Sequence, residues 1–234
     1  MTDEPGSVAD LIRTAAEAAI EFRSGLADRP VARPVDREAL RTALGGPLPL
    51  EPTAPDRVLD LLVAAAEPGL VGTAGPRFFG FVVGGSLPAT TAAEILAIGW
   101  DQLAFNATSS PAASMVEEVA GGWLKELLGL PATASVGFGT GAQSANTVGL
   151  AAGRHRVLQD AGWDVERDGL AGSPRVRVVA SAERHATVDR SLRLLGLGNA
   201  SVRPVAADPQ GAIDVDDLAR VLTAEPDAPT ILVL

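Results

Sequence analysis

The stretch SVGFGTGAQSANTVGLAAGR, Ser135 to Arg154, constrains this chain more than any other. A short apolar run, Val136 to Phe138, precedes Gly139, Thr140, Gly141 and Ala142, and residues with helical spacing follow. That order predicts a strand, a tight glycine turn and a helix. Glycine lets a backbone adopt positive φ and lets a ligand come close, while the unpaired N–H groups and dipole of a helix start attract an anion, most often a phosphate. Ala142, Ala145, Gly149 and Ala152 make a stripe of small residues suited to close packing on a sheet. Gly139 and Gly141 form a GxG, but Ser144 stands where a dinucleotide fingerprint has its third glycine, and no lysine follows as a P-loop requires. Taken alone, the turn is open to two readings, an anion site or a plain strand-to-helix connection.

The rest of the chain supplies helices and strands around it. Ser7 is placed to cap a helix reaching Arg23, with Val8, Leu11, Ile12, Ala15, Ala19 and Phe22 on one side. From Arg29 to Pro55, six prolines together with Gly45 and Gly46 predict an extended arm with at most a short helix at Asp36 to Leu44. A helix over Asp56 to Glu67 follows, and then GPRFFGFVVGGS, Gly75 to Ser86, whose Phe78, Phe79 and Phe81 read either as core packing or as the wall of an apolar pocket. Thr90 to Leu103 reads as a helix. Ser110 and Pro111 start another, running to Leu128 with its apolar stripe at Val116, Val119, Trp123 and Leu127. Lys125 lies about half a turn from that stripe at ~100° per residue, which predicts a solvent-facing side chain.

Asp160 to Pro174 reads as a polar connection, Arg175 to Ala180 as a strand, Thr187 to Leu195 as a helix and Ser201 to Val205 as a strand. Asp214 and Asp217 suggest a capping box opening a further helix, and Thr230 to Leu234 is a closing apolar strand. Strands separated by helices predict an α/β layer structure with a largely parallel sheet. A buried parallel strand normally feeds a crossover, so a chain stopping inside one is expected to be a truncated piece.

Composition narrows the function classes. Hydrophobic residues make up 47% and charged residues 21%, the balance of a globular protein without a membrane span, expected in the cytoplasm. The net charge of -10 and the absence of a basic stripe argue against nucleic acid as a partner. With no cysteine, and only His155 and His185 as histidines, thiolate chemistry and a histidine-rich metal site are excluded. His155, between Arg154 and Arg156, reads as simply exposed. Lys125 is the only lysine among the 19 basic residues, so any lysine-dependent step must use it.

PRFFGF at Pro76 to Phe81, SSPAASMVEEVAGGWLKELLGLP at Ser109 to Pro131, TGAQSAN at Thr140 to Asn146, SAERHATVDRSLRLLGLG at Ser181 to Gly198 and DPQGAID at Asp208 to Asp214 occur in one order. In that order and spacing they resemble the pyridoxal-phosphate-dependent group II amino-acid decarboxylases, over about Gly75 to Leu234. The resemblance implies a fold type I, transferase-like large domain in an incomplete form spanning 56–234. Residues 1–55 would then be a helix and proline-rich arm that wraps the partner subunit of a homodimer. It implies pyridoxal 5'-phosphate as cofactor and an amino acid as substrate. Gly141, Ala142 and Gln143 match the phosphate-binding positions, where Gln143 keeps the backbone N–H but replaces the family's usual hydroxyl. His185 matches the histidine that stacks on the cofactor ring and acts in catalysis, and Phe79, Phe81, Val82 and Gly84 match the substrate pocket. The lysine that bonds the cofactor and the aspartate that pairs with its ring nitrogen lie beyond the position matching Leu234, so the chain alone is expected to be inactive. Two alternatives stay open, another fold type I reaction, of the aldehyde-lyase or aminotransferase kind, and a non-catalytic remnant that binds a partner subunit.

Overall fold

The computed structural model describes residues 7–234. Two compact units divide the chain, residues 1–102 and 103–234, and the boundary expected after Pro55 lies inside the first of them.

The first unit is helical among its described residues. Helix α1, Val8–Ser24, begins where Ser7 Oγ accepts from the Asp10 N–H at 3.2 Å. The arm holds one short helix, α2, Arg37–Leu44, capped by Asp36. Helix α3, Pro55–Ala66, ends in a single tight turn at Glu67–Gly69, against which the Leu40 side chain packs. Arg29 ties these pieces together, with its guanidinium 4.7 Å from the Phe22 ring centroid and 2.6 Å from Glu67 Oε1. Helix α4, Pro88–Gly99, stops short of the expected Leu103, because Trp100 and Asp101 turn the chain, Asp101 with a positive φ of 51°.

The second unit carries the sheet. Helix α5, Pro111–Leu127, starts with Ser110 Oγ accepting from the Ala113 N–H. Helix α6, Ala142–Asp160, follows the glycine turn, and a four-residue helix, α7, Val165–Asp168, interrupts the expected polar connection. Then come β1, Arg177–Ser181; α8, Ala186–Leu194; β2, Val202–Val205; α9, Val215–Thr223; and β3, Thr230–Val233. The three strands are parallel in the order β2-β1-β3, with Val178 opposite Val202 on one side and Ile231 on the other. Alternation along β1 sorts the two faces. Val178 joins Leu150, Leu158, Val188, Leu192 and Ile231 beneath α6 and α8, while Val179 joins Val205 and Val221 beneath α9.

Three expectations change. Val136 to Phe138 is not a strand, because among the described residues no neighbouring strand pairs with it, and Phe138 is exposed. The small-residue stripe of α6, Ala142, Ala145, Gly149 and Ala152, faces away from the core. The opposite face carries Leu150 and Leu158, and burying a leucine is worth roughly 1.5–3 kcal/mol, far more than burying an alanine. Close approach to the sheet is made instead at Gly153, where a Cβ would stand 3.4 Å from Ile231. The capping box at α9 is also replaced. Asp214 caps the helix, but Asp217, shorter than the glutamate of a true box, accepts from the Ala206 N–H at 2.8 Å.

Candidate active site

Helix α6 starts at Gly141, whose backbone is extended, with φ 166° and ψ 169°. Neither Gly139 nor Gly141 has a left-handed φ, so the turn does not use the backbone freedom expected of it. It uses clearance. A Cβ on Gly139 would lie 2.8 Å from Ser144 Oγ, which folds back to donate to the Gly141 carbonyl, whereas a Cβ on Gly141 would meet nothing within 4 Å. The front of the turn is therefore open. No side chain caps the helix, and among the described residues the N–H groups of Ala142, Gln143 and Ser144 have no acceptor. Three aligned donors at the positive end of a 19-residue helix suit a phosphate.

The Gln143 side chain turns away from that opening. Its Nε2 donates to Ser191 Oγ at 2.8 Å and to the Thr187 carbonyl at 3.2 Å, both on α8, and its Oε1 is buried without a partner among the described residues. Gln143 thus contributes a backbone N–H to the turn and uses its amide to bind the two helices together.

The same helix pair places His185. It is the N-cap of α8, where its Nδ1 accepts from the Thr187 N–H at 3.2 Å and lies 3.0 Å from Thr187 Oγ1. Thr187 is buried, and its hydroxyl accepts from Asn146 Nδ2 at 2.8 Å. The imidazole itself stays exposed at the C-terminal end of β1, the edge where parallel sheets take ligands. Nearby, Arg184 Nε is 2.9 Å from Asp189 Oδ1, so the cation next to His185 in sequence is already partnered. The polar residues joining α6 to α8 were missed in the sequence. They left a signal, since Gln143, Asn146 and Thr147 lie one turn apart on the face that carries Leu150 and Leu158, and Thr187 and Ser191 are four residues apart.

Phe79, Phe81 and Val82 belong to the first unit and are 92%, 94% and 102% exposed, with φ 57° at Phe81 and 53° at Val82, so they form no core plug. Gly84 lies in the same open loop. Lys125 is not free in solvent as expected. After Gly129 the chain doubles back, and Lys125 Nζ donates to the carbonyls of Ala132 at 2.9 Å and Ala134 at 3.2 Å. His155 is partly exposed, 3.5 Å from Glu166 Oε1.

Residues 48–233 match the model of the pyridoxal-dependent decarboxylase conserved domain. Tryptophan decarboxylase 1 of Oryza sativa subsp. japonica is 29% identical over 94% of this chain and 45% of its own length. Mouse CSAD in its apo form superposes with a TM-score of 0.85 at 23% identity, over 99% of this chain and 48% of that one. Oryza sativa TDC with PLP and tryptamine superposes at 0.80 with 25% identity, over 99% and 48%. The chain thus spans about half the length of the relatives it matches. An uncapped helix start opening on free space, joined through Gln143 and Thr187 to a planar side chain at the start of α8, fits a flat phosphorylated cofactor. The parallel sheet has the fold type I arrangement of these proteins, and the chain belongs to the pyridoxal-dependent decarboxylase family, whose cofactor is pyridoxal phosphate.

Proposed function

We propose that this chain supplies the phosphate turn and the ring wall of an amino-acid decarboxylase. The observation that carries the reading is the joining of the open turn at Gly141 to the His185 cap through Gln143 and Thr187. In this reading the N–H groups of Gly141, Ala142, Gln143 and Ser144 hold the cofactor phosphate. His185 lies flat against the cofactor ring and offers a ring nitrogen to the substrate carboxylate. When bound, pyridoxal phosphate supplies the electron sink for loss of that carboxylate. Phe79, Phe81, Val82 and Gly84 form an apolar wall for the substrate side chain, and their exposure leaves them available to one. The reading carries with it a homodimer in the cytoplasm, with residues 1–55 lying on the partner, and the exposed apolar residues Val8, Ile12 and Ile20 of α1 support that contact.

The remaining requirement is a lysine to bond the cofactor. Lys125 is held between two carbonyls, and it is the only lysine in the chain. Pyridoxal phosphate offered to this chain should therefore bind in competition with inorganic phosphate, leave no stoichiometric label on Lys125 after borohydride reduction, and release no carbon dioxide from carboxyl-labelled amino acids. Peptide mapping and radiometric assay check this. Decarboxylation accompanied by a label on Lys125, both lost in Lys125→Ala, would overturn these assigned roles.

A further inference from the structure

We propose that Asn146 and Thr187 are positioning residues that hold His185 in a single tautomer, with its hydrogen on Nε2 and that N–H turned outward. The argument starts from the donors around Nδ1. The Thr187 N–H is one of the first-turn donors of α8, and His185 Nδ1 accepts it, so Nδ1 must present a lone pair. Thr187 Oγ1 stands 3.0 Å from the same nitrogen. That hydroxyl accepts from Asn146 Nδ2, and because Nδ1 already presents its lone pair to the Thr187 N–H, the hydroxyl is the donor toward Nδ1.

Two donors from one residue therefore converge on one ring nitrogen. A neutral imidazole accepting at Nδ1 carries its hydrogen on Nε2. Thr187 cannot easily drift, since its carbonyl accepts from Gln143 Nε2 and from Ser191 Oγ and its side chain is buried. The chain Asn146, Thr187, His185 thus runs from the helix that begins at the phosphate turn to the ring wall. Its outcome is a donor at Nε2, suited to a carboxylate oxygen. The use of that donor rests on the reading of His185 as the ring wall, whereas the tautomer does not.

The test is nitrogen-15 histidine spectroscopy of the full chain without cofactor, in mildly alkaline buffer where imidazole is neutral. Only two histidines contribute, and His155→Gln assigns them. His185 should show the Nε2–H pattern. Asn146→Ala and Thr187→Val should each lower the ratio of Nε2–H to Nδ1–H by about two- to tenfold, the worth of one neutral hydrogen bond, and Thr187→Ser should restore it. An Nδ1–H pattern or an even mixture in the parent overturns the proposal, whether or not either variant folds. So does an unchanged ratio in both folded variants. Cofactor affinity is measured separately in His185→Leu: weaker binding supports the ring wall, and unchanged binding removes that use of the donor without touching the tautomer result.

Discussion

Ala142 and Gln143 show how one position can serve a ligand while its neighbour serves the fold. Ala142 is exposed at the mouth of the turn, with its N–H free, so a bulky side chain there would stand where a phosphate must come. Gln143 points inward to α8, and its amide makes no claim on the opening. Ala142→Trp should therefore abolish the protection that pyridoxal phosphate gives to the first-turn amides of α6. Gln143→Ala should keep that protection and lose stability on the order of 1 kcal/mol, the net value of a buried hydrogen bond. Amide exchange with and without cofactor, alongside denaturation, checks both. Equal cofactor protection in Ala142→Trp and the parent would remove the turn from the site. The residue types here were legible in the sequence, but the direction of the Gln143 amide was not, because it depends on partners 44 and 48 residues away.

At the scale of elements, the β2 end is fastened to α9 by one carboxylate. Asp217 accepts from the Ala206 N–H, and its carboxyl is held below the usual carboxylate range chiefly by that bond and then by Arg220. Because its folded value lies below the unfolded one, its contribution is fully present above the ordinary carboxylate range and is lost as pH falls through the folded value. Protection of the Ala206 amide should accordingly decline on acidification from about pH 4 downward. In Asp217→Asn that acid dependence should vanish; an identical decline in the variant would assign it to other groups. The C-terminal end of α9 is tied to β1. Arg177, buried in β1, donates to the carbonyls of Val221 and Leu222 at the end of α9 and to Thr230 Oγ1. Helix starts were readable from Ser7, Ser110 and Asp214, since capping is local. The Asp217 bond to Ala206 was not, since it joins separate elements.

Across the whole molecule the notable quantity is surface. Trp123, Leu127 and Val116 form the apolar stripe of α5 and remain exposed, as do Phe79, Phe81 and Val82. Apolar surface on this scale recruits other chains. The isolated chain should self-associate, with sedimentation mass rising over a concentration series. A single monomeric species at every concentration, with a sharp cooperative melt, would show that these faces tolerate water.

By itself the sequence determined what depends on short-range chemistry: the caps, the glycine turn, the alternation of helix and strand, and the ordered motifs that mark the family. The apolar stripe of α5 was equally legible, though nothing in its spacing says what covers it. Tertiary structure alone decided which face of α6 is buried, because Leu150 and Leu158 outweigh a stripe of alanines only once a sheet lies beneath them. It decided that Val136 to Phe138 lacks a ladder, since a strand exists only through its partner. It also decided that Lys125 bends back to Ala132 and Ala134, and that Asn146 reaches Thr187 beside His185. The burial of one face of α6 and the reach of Asn146 to Thr187 join residues whose distance along the chain says nothing about their distance in space.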